Sequence, residues 1–201
     1  MLIQNAKTMF ETERLIERLS LQASLIRYES GHPVKVLDAM AGDWHYVDIL
    51  YYVINMLYGC EYLKGVDNGR DCLEDALSNI SYLYELTSPK HVSFENMAVE
   101  DISENFDEYF DIITNFRPNI GSLLLKKELG KLDPSLIYER VADLLKRGGF
   151  FYAITYYEEE AKELRNMLKE AGLSVSVERN KYAADYLINP GKWIVTASKP
   201  L

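Results

Sequence analysis

The run Val34-Lys-Val-Leu-Asp-Ala-Met-Ala-Gly-Asp-Trp44 constrains the fold more than any other stretch of the chain. Val34 to Leu37 reads as a parallel strand buried on both faces, because such strands are apolar throughout and do not alternate. The strand ends in an acid and a glycine-containing turn, after which Tyr46 to Tyr58 places Val47, Leu50, Val53, Ile54 and Leu57 at helical spacing. Strand, tight loop and helix together present backbone amides at a helix N-terminus to a ligand at the carboxyl end of a sheet. The stretch is therefore expected to form the nucleotide or cofactor corner of the protein.

The same alternation continues along the chain. Glu61 to Val66 reads as a second strand ending in Asp67-Asn68-Gly69, and Arg70 to Leu86 as a helix with Leu73, Ala76, Leu77, Ile80 and Leu83 on one side. His91 to Glu95 and Phe110 to Asn115 are the third and fourth strands, the latter running into Asn115-Phe-Arg-Pro118. Ser122 to Lys131 and Ser135 to Lys146 are helical, Gly148-Gly149 is a turn, and Phe150 to Thr155 is the fifth strand. Glu158 to Ala171 is a charged helix whose acidic first turn suits the helix dipole. Ser174 to Arg179 and Trp193 to Ser198 follow with no helix between them, so they are expected to pair antiparallel. Residues 1–33 read as an N-terminal helical extension, stopped by Ser30-Gly-His-Pro33, that packs on the core or covers the ligand mouth; residues 34–201 read as one domain. The whole predicts a three-layer α/β/α sandwich with a seven-stranded, mostly parallel sheet, an antiparallel last strand, and N-terminal helices.

Charge and composition narrow the partners. A net charge of -9, with Lys126-Lys127 and Lys146-Arg147 as the only compact basic pairs, disfavours nucleic acid, because phosphate contacts need clustered Lys and Arg. Small molecules or proteins are the expected partners. The sequence has no run of 18 apolar residues and no basic-then-apolar leader, so neither membrane insertion nor export is expected. Two cysteines, Cys60 and Cys72, fit a reducing cytoplasm better than a disulfide framework. The three histidines, His32, His45 and His91, are too dispersed for a zinc site, and no metal is expected.

With its signals read from Val34 to Lys199, the chain resembles the class I S-adenosylmethionine-dependent methyltransferases. Their first motif is an apolar strand, an acid and a glycine-rich turn; here it is Val36-Leu-Asp-Ala-Met-Ala-Gly-Asp-Trp44, similar to the Asp-Pro-Phe-Ala-Gly-Ser-Gly form of amino-group methyltransferases. Asp38, Ala41 and Gly42 match. Trp44 stands at the last glycine, adding bulk where the backbone normally approaches the methionine part of the cofactor. The resemblance implies S-adenosylmethionine as cofactor, held by Asp38, Ala41, Gly42 and Asp43 of the turn. It also implies Asp67, with Asn68 beside it, as the carboxylate that takes both ribose hydroxyls. Asn96, Met97 and Ala98 fall where such families often carry an adenine-binding Asp. Asn115-Phe116-Arg117-Pro118 stands where amino-group methyltransferases have Asp/Asn-Pro-Pro-Tyr. Asn115, Arg117 and Tyr156 are thus the candidate catalytic residues, with Asn115 also reaching the cofactor. Leu144 to Ile154 resembles the family's helix, double glycine and strand, which speaks for fold rather than activity.

Each of these residues also has an ordinary structural reading. Asp38 and Asp43 could cap a helix, the expected role of Asp43 at the Tyr46 helix. Asp67-Asn-Gly is also a common turn, and Asn115 could hold its own turn. Arg117 could pair with a surface acid, and His45 could be structural. The expected function is methyl transfer to a small-molecule or protein acceptor, a reaction in which the sulfonium already activates the methyl group and the protein aligns it and excludes water. Two other readings stay open: a catalytically inactive methyltransferase-like scaffold, which Trp44 and Ala98 suggest, and a nicotinamide-dependent oxidoreductase. The second rests on Asp67 following Gly42 at near the ribose-binding spacing, without the Gly-x-Gly-x-x-Gly turn.

Overall fold

The computed structural model describes residues 2–69, 71–116, 118–183 and 192–201, and only the backbone of residues 2–13. A long helix, α1 (Leu2–Leu25), precedes the alternating units β1 (Val34–Ala39), α2 (Val47–Leu57), β2 (Cys60–Asp67), α3 (Cys72–Leu86) and β3 (Val92–Asn96). Two short 3-10 turns lead to β4 (Phe110–Phe116), α4 (Ile120–Glu128), α5 (Pro134–Leu144), β5 (Leu145–Thr155) and α6 (Glu158–Glu170). The chain closes with β6 (Ser174–Arg179) and β7 (Trp193–Ser198).

The strands form one sheet in the order β3-β2-β1-β4-β5-β7-β6. β1 pairs in parallel with both β2 and β4, whereas β7 runs antiparallel between β5 and β6. The order therefore reverses between β1 and β4, and their carboxyl ends open the crevice where such sheets take ligands. The inserted antiparallel β7 departs from the 3-2-1-4-5-6 order of dinucleotide-binding sheets, so the fold gives the oxidoreductase reading no support.

Two apolar cores form because every residue of β4 and nearly every residue of β1 is buried on both faces. Val36, Leu63, Ile112 and Tyr152 face α1, α2 and α3, while Leu37, Val66, Ile113 and Phe151 face α4, α5 and α6. The extension is a single helix, and Leu21 and Leu25 near its end lie in the first core. α6 buries Ala161, Leu164, Met167 and Leu168, the three-and-four spacing of an amphipathic stripe.

The largest difference from the sequence-based expectation lies at Lys146 to Gly149. Helix α5 stops at Leu144 and these residues belong to β5, where they form a bulge: Phe110 pairs with Leu145, but Ile112 already pairs with Phe150. The extra residues are tolerated because Gly148 adopts φ +72 and because Lys146 Nζ reaches the buried Asp111 carboxylate at 2.8 Å.

Candidate functional site

The loop from β1 to α2 carries three left-handed residues, Met40 (φ 56), Gly42 (φ 60) and Trp44 (φ 57). For the two that are not glycine this costs about 1–2 kcal/mol each, so the surroundings must hold them. Ala41 N donates to Val66 O at 3.0 Å, Trp44 N to Ala41 O at 3.1 Å, and Gly42 N to Asp67 Oδ2 at 3.0 Å. Gly69 N donates to the other oxygen of Asp67 at 2.7 Å. One carboxylate thus joins the loops after β1 and β2. Asn96 reinforces that junction, its side-chain amide donating to the carbonyls of Asp67 and Gly69 at 2.9 and 2.8 Å.

The indole of Trp44 turns beneath the loop and is fully buried. Its Nε1–H donates to Asp38 Oδ2 at 2.8 Å, and its ring lies 5.6 Å from that of Phe94. Space for the indole exists because residue 65 is glycine; a Cβ there would stand 2.9 Å from the indole carbons. Asp38 is fully buried, its other oxygen accepting from Thr114 Oγ1 at 2.7 Å. Burial raises its pKa from 3.8 to about 7, against the two hydrogen bonds, which lower it; the Asp67 charge adds to the rise. Asp38 therefore acts on the loop from below and does not face the crevice.

The crevice has two walls. Met40, Asp67, Asn68, Met97 and Ala98 form one, and Leu123 and Lys126 of α4, Leu132 of the connection and Ile137 of α5 form the other. The enclosed volume is about 50 Å³, room for a few water molecules, whereas pockets for drug-sized ligands begin at about 300 Å³. At Gly42 an added Cβ would meet nothing within 4 Å, so the loop is bare on its outer side.

The remaining expected site residues do not all reach the crevice. Ala41 is buried in the loop, and Asp43 is turned to His45, its Oδ1 lying 2.7 Å from Nδ1 and accepting from the His45 backbone N–H. Strand β4 runs one residue further than expected, to Phe116, which places Asn115 inside the strand and fully buried, not at its mouth. Among the described residues neither polar atom of the Asn115 amide, nor the Tyr138 hydroxyl beside it, has a partner in hydrogen-bond geometry; burial pushes the Tyr138 pKa up, and the nearby Asn115 amide acts to lower it. Tyr156, half-buried, follows β5 on the same edge of the sheet as the crevice, its ring 6.4 Å from that of Tyr157. Arg117 lies outside the described residues. Sequence reasoning does not single out Thr114, Phe94 or Gly65. Gly65 alone carries a visible signal, a glycine inside an apolar strand, which marks a close approach.

A buried amide without partners costs more than an apolar side chain of similar shape. Asn115→Val is therefore expected to leave stability unchanged or raise it by about 1 kcal/mol in thermal melting. A loss of more than that amount would mean that the amide does bond to Tyr138.

Among the described residues no helix is long and apolar enough to cross a membrane, and no three His, Cys, Asp or Glu side chains gather as metal ligands. Cys60 and Cys72 are free thiols; burial pushes Cys60 up to about 12, and burial with the neighbouring Asp67 raises Cys72.

No family model matches the sequence, and no curated protein matches it. Solved structures do. A chain from the complex between the Haloferax volcanii Trm112 methyltransferase activator and a methyltransferase is 17% identical, with 90% of this chain and 89% of that one covered at a TM-score of 0.62. The antibiotic-resistance methyltransferase Kmr is 17% identical over 92% and 93% of the two chains, TM-score 0.59. An rRNA methylase from Streptococcus thermophilus is 14% identical over 84% and 88%, TM-score 0.55. Likeness at these identities speaks to architecture: the chain has the α/β fold of the class I methyltransferases.

Proposed function

We propose that this protein is a methyltransferase that binds S-adenosylmethionine at the carboxyl ends of β1 and β2 and methylates a small-molecule or protein acceptor. The observation that carries the reading is the half-buried Asp67 carboxylate, which lines the crevice and accepts from the Gly42 amide of the bare β1–α2 loop and from the Gly69 amide of its own loop. An ionised carboxylate has about four acceptor positions, so capacity remains for the two ribose hydroxyls. Asn68, Met97 and Ala98 would flank the adenine, and Asp38, through Trp44, would shape the loop beneath the methionine part. The bound cofactor supplies an activated methyl group. The chain's part is to orient the acceptor, with Tyr156 on the edge of the sheet that carries the crevice and Arg117, by its place in the sequence after β4, as its contacts, and to exclude water. The acidic net charge argues against RNA as acceptor, and the two free thiols favour a reducing cytoplasm.

Entry requires the α4 wall to move outward, and this wall is lightly held: Ile120 and Leu123 are the buried residues of α4. The narrow crevice also favours a second reading, a methyltransferase-like binding protein without catalysis.

Calorimetric titration with S-adenosylmethionine, S-adenosylhomocysteine and NAD separates these readings. Binding of the first two and not the third is expected. Asp67→Ala should then weaken S-adenosylhomocysteine by about tenfold to a hundredfold, the scale of a hydrogen bond to a charged group. Silence with both adenosyl ligands would leave the non-catalytic reading standing.

A further inference from the structure

We infer that the Trp44 indole is a positioning residue, anchoring the β1–α2 loop through Asp38 so that the Gly42 amide stays directed at Asp67. Residue 44 holds a left-handed conformation that a tryptophan does not favour by itself. What compensates is beneath the loop: complete burial, the Nε1–H to Asp38 bond at 2.8 Å, and the contact with Phe94 over a bare Gly65. The loop is thereby pinned on both sides of Gly42, at Ala41 by Val66 O and at Trp44 by the core. Between the two pins the Gly42 N–H has one direction, toward Asp67 Oδ2. Without the indole, residue 44 keeps only its two backbone hydrogen bonds, to Ala41 O and from Val47 N, against the cost of positive φ; the peptide units between 42 and 44 then rotate and the Asp67 clamp opens. Thr114 supports the same anchor by holding the second Asp38 oxygen from β4.

The anchor is made by the chain alone and does not require the cofactor reading. Its test is amide hydrogen exchange by NMR on the wild type, Trp44→Phe, which keeps a ring and drops the N–H, and Gly65→Ala, which crowds the indole and Phe94 from β2 and leaves the loop sequence unchanged. Exchange at Gly42 should be at least tenfold faster in both variants, and its acceleration should exceed by at least fivefold that of Ile112 and Ile113 in β4, which report the loss of global stability. Trp44→Gly should loosen Gly42 as well. Equal acceleration at Gly42 and in β4 would mean global destabilisation and would overturn the inference, as would unchanged exchange at Gly42. Wild-type protection in Trp44→Gly would also overturn it, because the backbone conformation alone would then suffice. Should a ring variant fail to fold, Thr114→Val, which keeps side-chain volume, takes its place with the same expected change at Gly42. If the wild type binds S-adenosylhomocysteine, Trp44→Phe should weaken that binding at least tenfold. If the wild type does not bind it, the function proposed above fails while the exchange result still decides the anchor.

Discussion

Trp44→Ala is expected to lose about 3–5 kcal/mol of folding stability, the range measured for aromatic truncations in cores. The indole is fully buried between β1, β2 and β3, so its removal empties a space that Gly65 and Phe94 cannot fill without moving the sheet. It also deprives the buried Asp38 of one of its two donors, which adds the cost of a carboxyl group left short of a partner. Relief of the left-handed backbone offsets only about 1 kcal/mol. Domains of this kind are stable by about 5–15 kcal/mol, so the variant should sit close to its unfolding threshold. Urea denaturation checks this: the midpoint should fall sharply with the slope unchanged. A midpoint within a few tenths molar of the wild type would mean that the loop repacks freely and that Trp44 is not part of the core.

The second large effect is a stability that depends on pH through Asp38. Its pKa stands at about 7 in the folded protein, against 3.8 for an ordinary aspartate, with burial as the main cause. Between those values the folded state keeps the proton and the unfolded state has released it, so stability falls as pH rises through the window from about 4 to about 7. Each tenfold difference in proton affinity between the two states corresponds to about 1.4 kcal/mol, giving a loss on the order of 4 kcal/mol across the window. Asp38→Asn carries no charge at any pH and can still accept from Trp44 while its amide donates to the Thr114 oxygen. The variant should therefore be more stable than the wild type at pH 8, with the gap closing by pH 4. Chemical denaturation of both proteins at several pH values gives the difference directly and cancels the exposed carboxylates common to the two. A gap that stays constant with pH would place the Asp38 pKa near its ordinary value and remove burial as the dominant influence on it.

These two residues also mark the boundary between what could be read in one dimension and what could not. The alternation of buried strands and amphipathic helices, and the pairing of the last two strands, follow from periodicity and turn residues, because a strand buried on both faces needs an unbroken apolar run and a helix needs its stripe. Asp67 at the end of β2 was legible for the same reason: strand ends are set by local pattern. What the sequence left open at residue 44 was direction. A tryptophan at a glycine position could have filled the crevice or passed beneath it, and the choice depends on Gly65, Phe94 and Asp38, which come from three different strands. The bulge at Lys146 to Gly149 and the burial of Asn115 were likewise decided by pairing register between β4 and β5. The width of the crevice was decided by the packing of α4 and α5 over the sheet. Strand and helix identity is a property of neighbours along the chain, whereas side-chain direction and free volume are properties of neighbours in space, and those exist only after the sheet has assembled.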